Sequence, residues 1–128
     1  FKSNLNVLAL ADQEDLTNEF IIGGIIDKFF IQFELGWKVL KELLSYEGQS
    51  ISASGSPKMI LKTAFTIYDF IDENVWLEML RARNDMTHIY DALAARRLVD
   101  AVLQRYIPEF QKMKERIESF YKDELNNL

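Results

Sequence analysis

The stretch NEFIIGGIIDKFFIQFELGWKVLKELLSY, residues 18–46, decides the fold predicted for this chain. Its apolar side chains recur at alternating intervals of three and four residues, the spacing of one face of an α-helix. This stripe comprises Ile22, Ile26, Phe29, Phe33, Trp37, Leu40 and Leu44. The pattern predicts a long amphipathic helix of roughly 40 Å, because each helical residue adds about 1.5 Å.

Further apolar residues widen the stripe, so we expect this helix to bury two sides. They are Ile21, Ile25, Phe30 and Val39. One side would face the core of the chain and the other a second copy, which predicts a homodimer. Gly23, Gly24 and Gly36 each weaken a helix by roughly 1 kcal/mol relative to alanine. We therefore expect a neighbouring element to pack closely on these glycines.

Residues before and after the long helix predict its limits. The apolar residues of 1–11 predict a short helix of their own. Thr17 or Asp15 is expected to cap the start of the long helix, because their side-chain oxygens can accept backbone N–H groups. Gly48 is expected to end it, since glycine readily adopts the left-handed conformation that follows many helices.

Three more helices are predicted in the remainder of the chain. Their expected starts are Ser56-Pro57, Asp72 or Asn74, and Asp91. The third helix should extend to about Phe70 and the fourth into Arg83-Asn84, and Pro108 should bend the last one. No segment shows the alternation typical of a strand. We expect an all-α, up-and-down bundle of four to five helices, forming a single domain over residues 1–128.

Composition narrows the possible functions. With no cysteine and one histidine, the chain lacks a thiol nucleophile and disulfides, and a zinc site is unexpected. We predict neither a metal nor another cofactor. A net charge of −5 argues against broad, nonspecific nucleic-acid binding, which depends on neutralising phosphates. A local basic site stays possible among Arg81, Arg83, Arg96, Arg97 and Arg105.

The apolar stretch of residues 20–44 is interrupted by charged residues, so no membrane span is predicted. The first residues also lack the pattern of a signal peptide. We therefore expect a cytoplasmic protein. Because Phe1 rather than Met opens the sequence, we expect the natural N-terminus to be trimmed or to lie outside it.

The stretch RARNDMTHIYD, residues 81–91, interrupts the helical pattern and holds the histidine. Arg83 and His88 are five residues apart, roughly 140° of rotation on a continuous α-helix, so they would not share a face. For the two side chains to act together, the helix has to end between them. The intervening Asn84, Asp85 and Thr87 favour such an end, because their side chains compete for backbone hydrogen bonds.

The chemistry of these side chains suits cleavage of RNA. His88 can exchange a proton near neutral pH, and Arg83 can hold a phosphate and stabilise charge that develops on it. His88 of one copy can accept a proton, and His88 of a second copy can donate the proton that the reaction also needs. The pair can therefore assist attack by a ribose 2′-hydroxyl without a metal ion. Tyr90 can bind substrate or accept a modification.

A purely structural role competes with each of these assignments, and spacing alone favours it. His88 can simply cap a helix end while Arg83 pairs with Asp85 or Asp91. Tyr90 can be a buried tyrosine whose hydroxyl is hydrogen-bonded. The aromatic residues at helical spacing are expected in the core and at interfaces rather than as a base-stacking platform. They are Phe29, Phe30, Phe33, Trp37 and Trp76.

Four motifs in order along the chain resemble one family. They are FFIQFELGWKVL (residues 29–40), the helix start Ser56-Pro57, VWLEMLRARN (75–84) and HIYD (88–91). Together they resemble the nucleotidyltransferase substrate-binding proteins, which belong to the wider HEPN superfamily. The resemblance covers nearly the whole chain, and it implies a dimerising helical bundle that works with a minimal nucleotidyltransferase.

The resemblance implies two functions. In many HEPN proteins this motif forms a metal-independent ribonuclease site across the dimer, used as the toxin of a toxin–antitoxin pair. The matching catalytic residues are Arg83 and His88, with Asn84 and Arg81 as neighbours that bind substrate, and AMP transfer to Tyr90 would silence the toxin. In the alternative, the chain is a noncatalytic subunit that presents an RNA or nucleotide substrate to the nucleotidyltransferase.

Overall fold

The computed structural model of the protein describes residues 1–48, 55–86 and 91–126, with side chains as far as residue 120. These residues form an all-α bundle without a β-strand, as predicted. The α-helices are α1 (Lys2–Leu8), α2 (Glu19–Tyr46), α3 (Pro57–Ile67), α4 (Glu73–Asn84), α5 (Ala92–Ala101) and α6 (Ile107–Asn126). A 3₁₀ segment, Ala9–Gln13, follows α1, and a π-helical segment, Val102–Tyr106, joins α5 to α6.

Helix α2 is the central element, since it contacts α1, α3, α4 and α5. The apolar stripe predicted from residues 18–46 faces the core, although Ile22 and Trp37 are only partly buried and Ile25 is buried with the stripe. Gln32 is also fully buried in α2, and its Oε1 accepts a 2.9 Å hydrogen bond from Asn4 Nδ2 of α1. Sequence periodicity therefore identified five residues of the buried face of this helix, and it left Ile25, Gln32 and Gly36 out of the stripe.

Helix α2 begins after Asn18, so the expected caps Thr17 and Asp15 are wrong. Asn18 has extended backbone angles, and its Oδ1 accepts from the N–H groups of Phe20 at 2.9 Å and Ile21 at 3.4 Å. Asp15 instead accepts from the backbone and the hydroxyl of Thr17, which closes a local turn before the helix. At the other end, Gly48 has a φ of +80°, which confirms its predicted role.

The predicted starts of the later helices are confirmed, and Asp72 rather than Asn74 caps α4. Ser56 Oγ accepts from Met59 N at 3.2 Å, Asp72 Oδ1 from Asn74 N at 3.1 Å, and Asp91 Oδ1 from Leu93 N at 2.8 Å. Helix α3 ends at Ile67, earlier than expected, because Tyr68 turns to an extended conformation. Phe70 is nevertheless buried in the connection to α4.

The glycines of α2 differ in their surroundings. A Cβ at Gly36 would lie 2.9 Å from Cη2 of Trp76, so α4 packs closely there, as expected. At Gly23 and Gly24 the expectation is wrong for the described part of the chain, because an added Cβ would meet no atom within 4 Å. The two glycines instead leave an open strip on the surface of α2.

Helices α5 and α6 follow one another without a break through the π-helical turn, as predicted for the last helix, and the bend expected at Pro108 stays a prediction. The N–H of Ile107 bonds to the carbonyl of Val102, five residues earlier, so the backbone widens directly before the proline. This widening is consistent with the hydrogen bond that proline cannot donate. Among the helices of the described ranges, none combines the length and apolar character that crossing a bilayer requires.

Candidate functional site

Helix α4 ends at Asn84, which confirms the interruption predicted between Arg83 and His88. The N–H of Asp85 closes the last turn on the carbonyl of Arg81. The structure thus places Arg81, Arg83 and Asn84 in the final turn of the helix. Thr87 to Tyr90 lie outside the described residues, and these include His88 and Tyr90.

The guanidinium of Arg83 is held against α2. Its Nε lies 2.8 Å from Oε1 of Glu34, and its Nη1 donates to Oδ1 of Asn84 at 3.3 Å. The expected pairing of Arg83 with Asp85 or Asp91 is wrong, because α2 brings Glu34 beside the end of α4. About a third of the Arg83 side chain, 35%, is exposed, so the cation is held in place and still accessible.

Glu34 joins Arg83 to a second side chain. Its other carboxylate oxygen, Oε2, accepts a 3.0 Å hydrogen bond from the indole Nε1 of Trp37. Glu34 and Trp37 lie one turn apart on α2, where side chains at this spacing are neighbours. One carboxylate therefore orients both an arginine from α4 and a tryptophan from α2.

Arg81 and Arg83 do not form one binding site, although both were predicted to contact substrate. Residues two positions apart on a helix are rotated by about 200° about its axis, so the side chains of Arg81 and Arg83 leave α4 in nearly opposite directions. Arg81 is exposed and acts electrostatically on Tyr106, whereas Arg83 pairs with Glu34. Of the described residues that were predicted to contact substrate, only Arg83 and Asn84 have side chains in contact with each other.

Tyr106 lies on the other side of α4 from Glu34, within a charged cluster. Burial, and next the carboxylate of Glu78, raise the pKa of Tyr106 to about 12, although Arg105 and Arg81 oppose the shift. Its ring stacks on Phe29 with centroids 5.1 Å apart. Tyr106 is therefore neutral at physiological pH and packs the π-helical segment against α2.

Three of the five arginines of the predicted local basic site form ion pairs with acidic side chains of the same chain. Besides Arg83, Arg96 pairs with Asp100 at 3.1 Å and donates to the Leu16 carbonyl at 2.9 Å. Arg105 pairs with Glu78. Within the described ranges, no three His, Asp or Glu side chains are grouped to hold a metal ion.

The comparison with protein families agrees with this architecture. A family model described as nucleotidyltransferase substrate binding protein like matches residues 2–119. The chain belongs to this family. No significant match is found among curated proteins. As the description of the family indicates, its members are associated with a nucleotidyltransferase.

In this member of the nucleotidyltransferase substrate-binding family, sequence reasoning missed two features of the site. The sequence pattern indicates Glu34 only as a charge within an apolar stretch, and Trp37 as a core or interface residue. Their spacing of three residues was a readable sign that they could bond to each other. The contact of Glu34 with Arg83 had no such local sign, because it depends on how α4 packs against α2.

Proposed function

We propose that this chain is the partner of a minimal nucleotidyltransferase and that a homodimer of it cleaves RNA at Arg83 and His88. The membership of the chain in the nucleotidyltransferase substrate-binding family supports the first part. The position of Arg83 supports the second part, the cleavage of RNA. Its guanidinium lies at the end of α4, held by Glu34 and still accessible, five residues before the histidine.

The proposed cleavage needs one proton acceptor and one proton donor. His88 of one copy takes the proton of a ribose 2′-hydroxyl, whose oxygen then bonds to the adjacent phosphorus. The bond from phosphorus to the 5′-oxygen breaks, and His88 of the second copy protonates that oxygen. The products are a 2′,3′-cyclic phosphate and a free 5′-hydroxyl. Arg83 stabilises the extra negative charge on the phosphate during this step.

Regulation through Tyr90 completes the proposal as a toxin–antitoxin pair. The nucleotidyltransferase would bring ATP, and the Tyr90 oxygen would bond to its α-phosphorus while pyrophosphate leaves. The tyrosine would then carry AMP, with one phosphodiester charge, two residues from His88. Such a group would compete with an RNA phosphate for Arg83, so the modified protein would lose its nuclease activity.

A second candidate is a noncatalytic subunit that presents a nucleotide substrate to the nucleotidyltransferase. The Arg83–Glu34 ion pair favours it, because a carboxylate 2.8 Å from the guanidinium offsets the positive charge that a phosphate would meet. In this case Arg83 would serve mainly to join α4 to α2. The net charge of −5 also favours a role with little direct RNA binding.

Cleavage of RNA by the purified protein in a metal chelator separates these candidates. We expect His88→Ala and Arg83→Ala to lower the cleavage rate by roughly 100-fold or more. Arg116→Ala is the matched control, since Arg116 is likewise an ion-paired, partly exposed arginine but lies on α6, and its loss should leave the rate unchanged. Equal degradation by the wild type and both variants would show that a contaminant cuts the RNA and would leave the noncatalytic candidate.

The partner role has a separate readout. When the chain is co-expressed with a minimal nucleotidyltransferase encoded beside it, we expect the two proteins to copurify. Intact mass spectrometry should then show the addition of one AMP to the wild type and none to Tyr90→Phe. Copurification without the added mass would contradict regulation through Tyr90, and it would still support the partner role.

A further inference from the structure

The face of α2 next to Glu34 carries a groove that the proposed cleavage does not use. Its volume is about 430 Å³, within the range of small-molecule sites. The described residues that line it are Trp37, Lys38, Lys41, Glu42 and Ser45. All five belong to α2, so an aromatic ring, two ammonium groups, a carboxylate and a hydroxyl line this space along one helix.

Trp37 is fixed in this groove by contacts on two sides. Part of its ring packs against the buried core, and its indole Nε1 donates to Glu34 at 3.0 Å. The remainder is accessible, whereas Trp76, the other tryptophan of the chain, is completely buried. A ring that is already immobilised loses little conformational freedom when a planar ligand stacks on it.

The charges of the groove favour a nucleotide over a purely apolar ligand. The Nζ atom of Lys38 lies 5.9 Å from the centroid of the Trp37 ring, and Lys41 lies one helical turn beyond Trp37. A base stacked on the indole would thus have ammonium groups nearby for its phosphate. The Glu42 carboxylate can accept hydrogen bonds from ribose hydroxyls or from exocyclic amino groups.

The groove is connected to Arg83 through Glu34. One oxygen of Glu34 contacts the indole of Trp37 and the other contacts the guanidinium of Arg83. A nucleotide held at Trp37 would therefore lie one side chain away from the group proposed to bind the phosphate that is cleaved. This arrangement suits a single strand whose neighbouring nucleotides occupy the two places.

We propose that Trp37, with Lys38 and Lys41, is a base-stacking subsite that holds one nucleotide of single-stranded RNA beside Arg83. This inference rests on the proposed function for its substrate class. It assigns to α2 a role in RNA binding that the helix-end motif at residues 83–90 does not include. Duplex RNA would be excluded, because its bases are already stacked on one another.

Binding of a fluorescein-labelled single-stranded oligoribonucleotide tests the subsite by anisotropy at low salt, with 2′-O-methyl riboses so that the strand cannot be cleaved. We expect Trp37→Leu to weaken binding about 5- to 150-fold, the range for loss of one base stack. Trp37→Phe keeps an aromatic face and should retain much of the affinity. With the wild type, unlabelled RNA should also quench the fluorescence of Trp37, whereas the buried Trp76 retained in Trp37→Phe should respond little.

Lysine variants give a second test that does not disturb the core. Lys38→Gln should weaken binding severalfold and make it less dependent on salt, because one phosphate contact is lost. Lys58→Gln, an exposed lysine on α3, is the matched control and should bind as the wild type does. Denaturation curves of all variants should confirm that they are folded.

Two outcomes would overturn the subsite. One is equal affinity of the wild type, Trp37→Leu and Lys38→Gln for the oligonucleotide, and the other is equal binding of duplex and single-stranded RNA. Neither result decides the proposed function, because cleavage that depends on His88 is measured separately. Conversely, loss of cleavage activity in all preparations would leave a Trp37-dependent affinity intact.

Discussion

At the scale of single residues, Gly36 and Trp76 pack so closely that residue 36 has no room for a side chain. A Cβ at residue 36 would lie 2.9 Å from Cη2 and 3.3 Å from Cζ3 of the indole. Trp76 cannot move away easily, because it is fully buried between Phe33 and Phe110. The missing side chain of Gly36 is therefore what allows α4 to approach α2.

We expect Gly36→Ala to destabilise the protein despite the better helix propensity of alanine. Overpacking a core typically costs about 1–3 kcal/mol, and alanine in a helix returns about 1 kcal/mol, so the net loss reaches about 2 kcal/mol. Urea denaturation would measure this change in the free energy of unfolding. Gly23→Ala is the control: its Cβ would enter open space, and we expect a gain of about 0.5–1 kcal/mol. A gain in both variants would contradict the packing argument.

At the scale of elements, α4 is anchored at both ends. Its first turn is capped by Asp72, whose own N–H donates to Oε1 of the buried Glu109 in α6 at 3.0 Å. Its last turn is joined to α2 by the Arg83–Glu34 ion pair. Helix α4 is thus held to α6 at its start and to α2 at its end.

Asp72→Ala should lower the free energy of unfolding by roughly 0.5–2 kcal/mol, the usual cost of losing an N-cap. The physical reason is that the N–H groups of Asn74 and Val75 would lose their acceptor. Thermal denaturation followed by circular dichroism would measure the effect. Asn74→Ala tests the other cap considered from the sequence, and we expect no comparable loss. If Asn74→Ala were the more harmful change, Asp72 would not be the cap.

The elements also show what a sequence can and cannot predict. The starts at Ser56, Asp72 and Asp91 were predictable, because each cap depends on a few adjacent residues. Around Asn18 several capping side chains follow one another, and only the backbone conformation decides which of them accepts. The Glu34–Arg83 pair joins residues far apart in the chain, and its formation depends on the packing of α4, which no local pattern encodes.

At the scale of the whole molecule, several exposed apolar side chains lie where α1 and the start of α2 meet. Phe20 is 91% exposed, and Val7 and Leu10 are about half exposed nearby. Together with Ile21 and Gly24 they border a shallow apolar groove. A surface of this kind agrees with the predicted second copy, since contiguous apolar patches commonly mark interaction sites.

We expect light scattering at micromolar concentration to show a dimer that Phe20→Asp weakens or dissociates. Placing a charge in an apolar interface costs several kcal/mol, because the carboxylate must be desolvated. Met59→Asp is the control, since Met59 is exposed on α3, away from this groove. If both variants stayed dimeric, the dimer interface would lie outside this groove. A monomeric wild type would remove the dimer and, with it, the mechanism that uses two histidines.

The carboxylate shared by Trp37 and Arg83 has a thermodynamic consequence. A ligand that draws Glu34 away from one of these partners changes how strongly Glu34 holds the other partner. Such coupling between two sites is necessarily reciprocal. If an anion at Arg83 loosens the indole, then a base on the indole changes the affinity for the anion by the same factor. Glu34→Gln would weaken this coupling and leave two nearly independent equilibria. Each half of a ligand would then bind with an affinity that does not depend on whether the other half is bound.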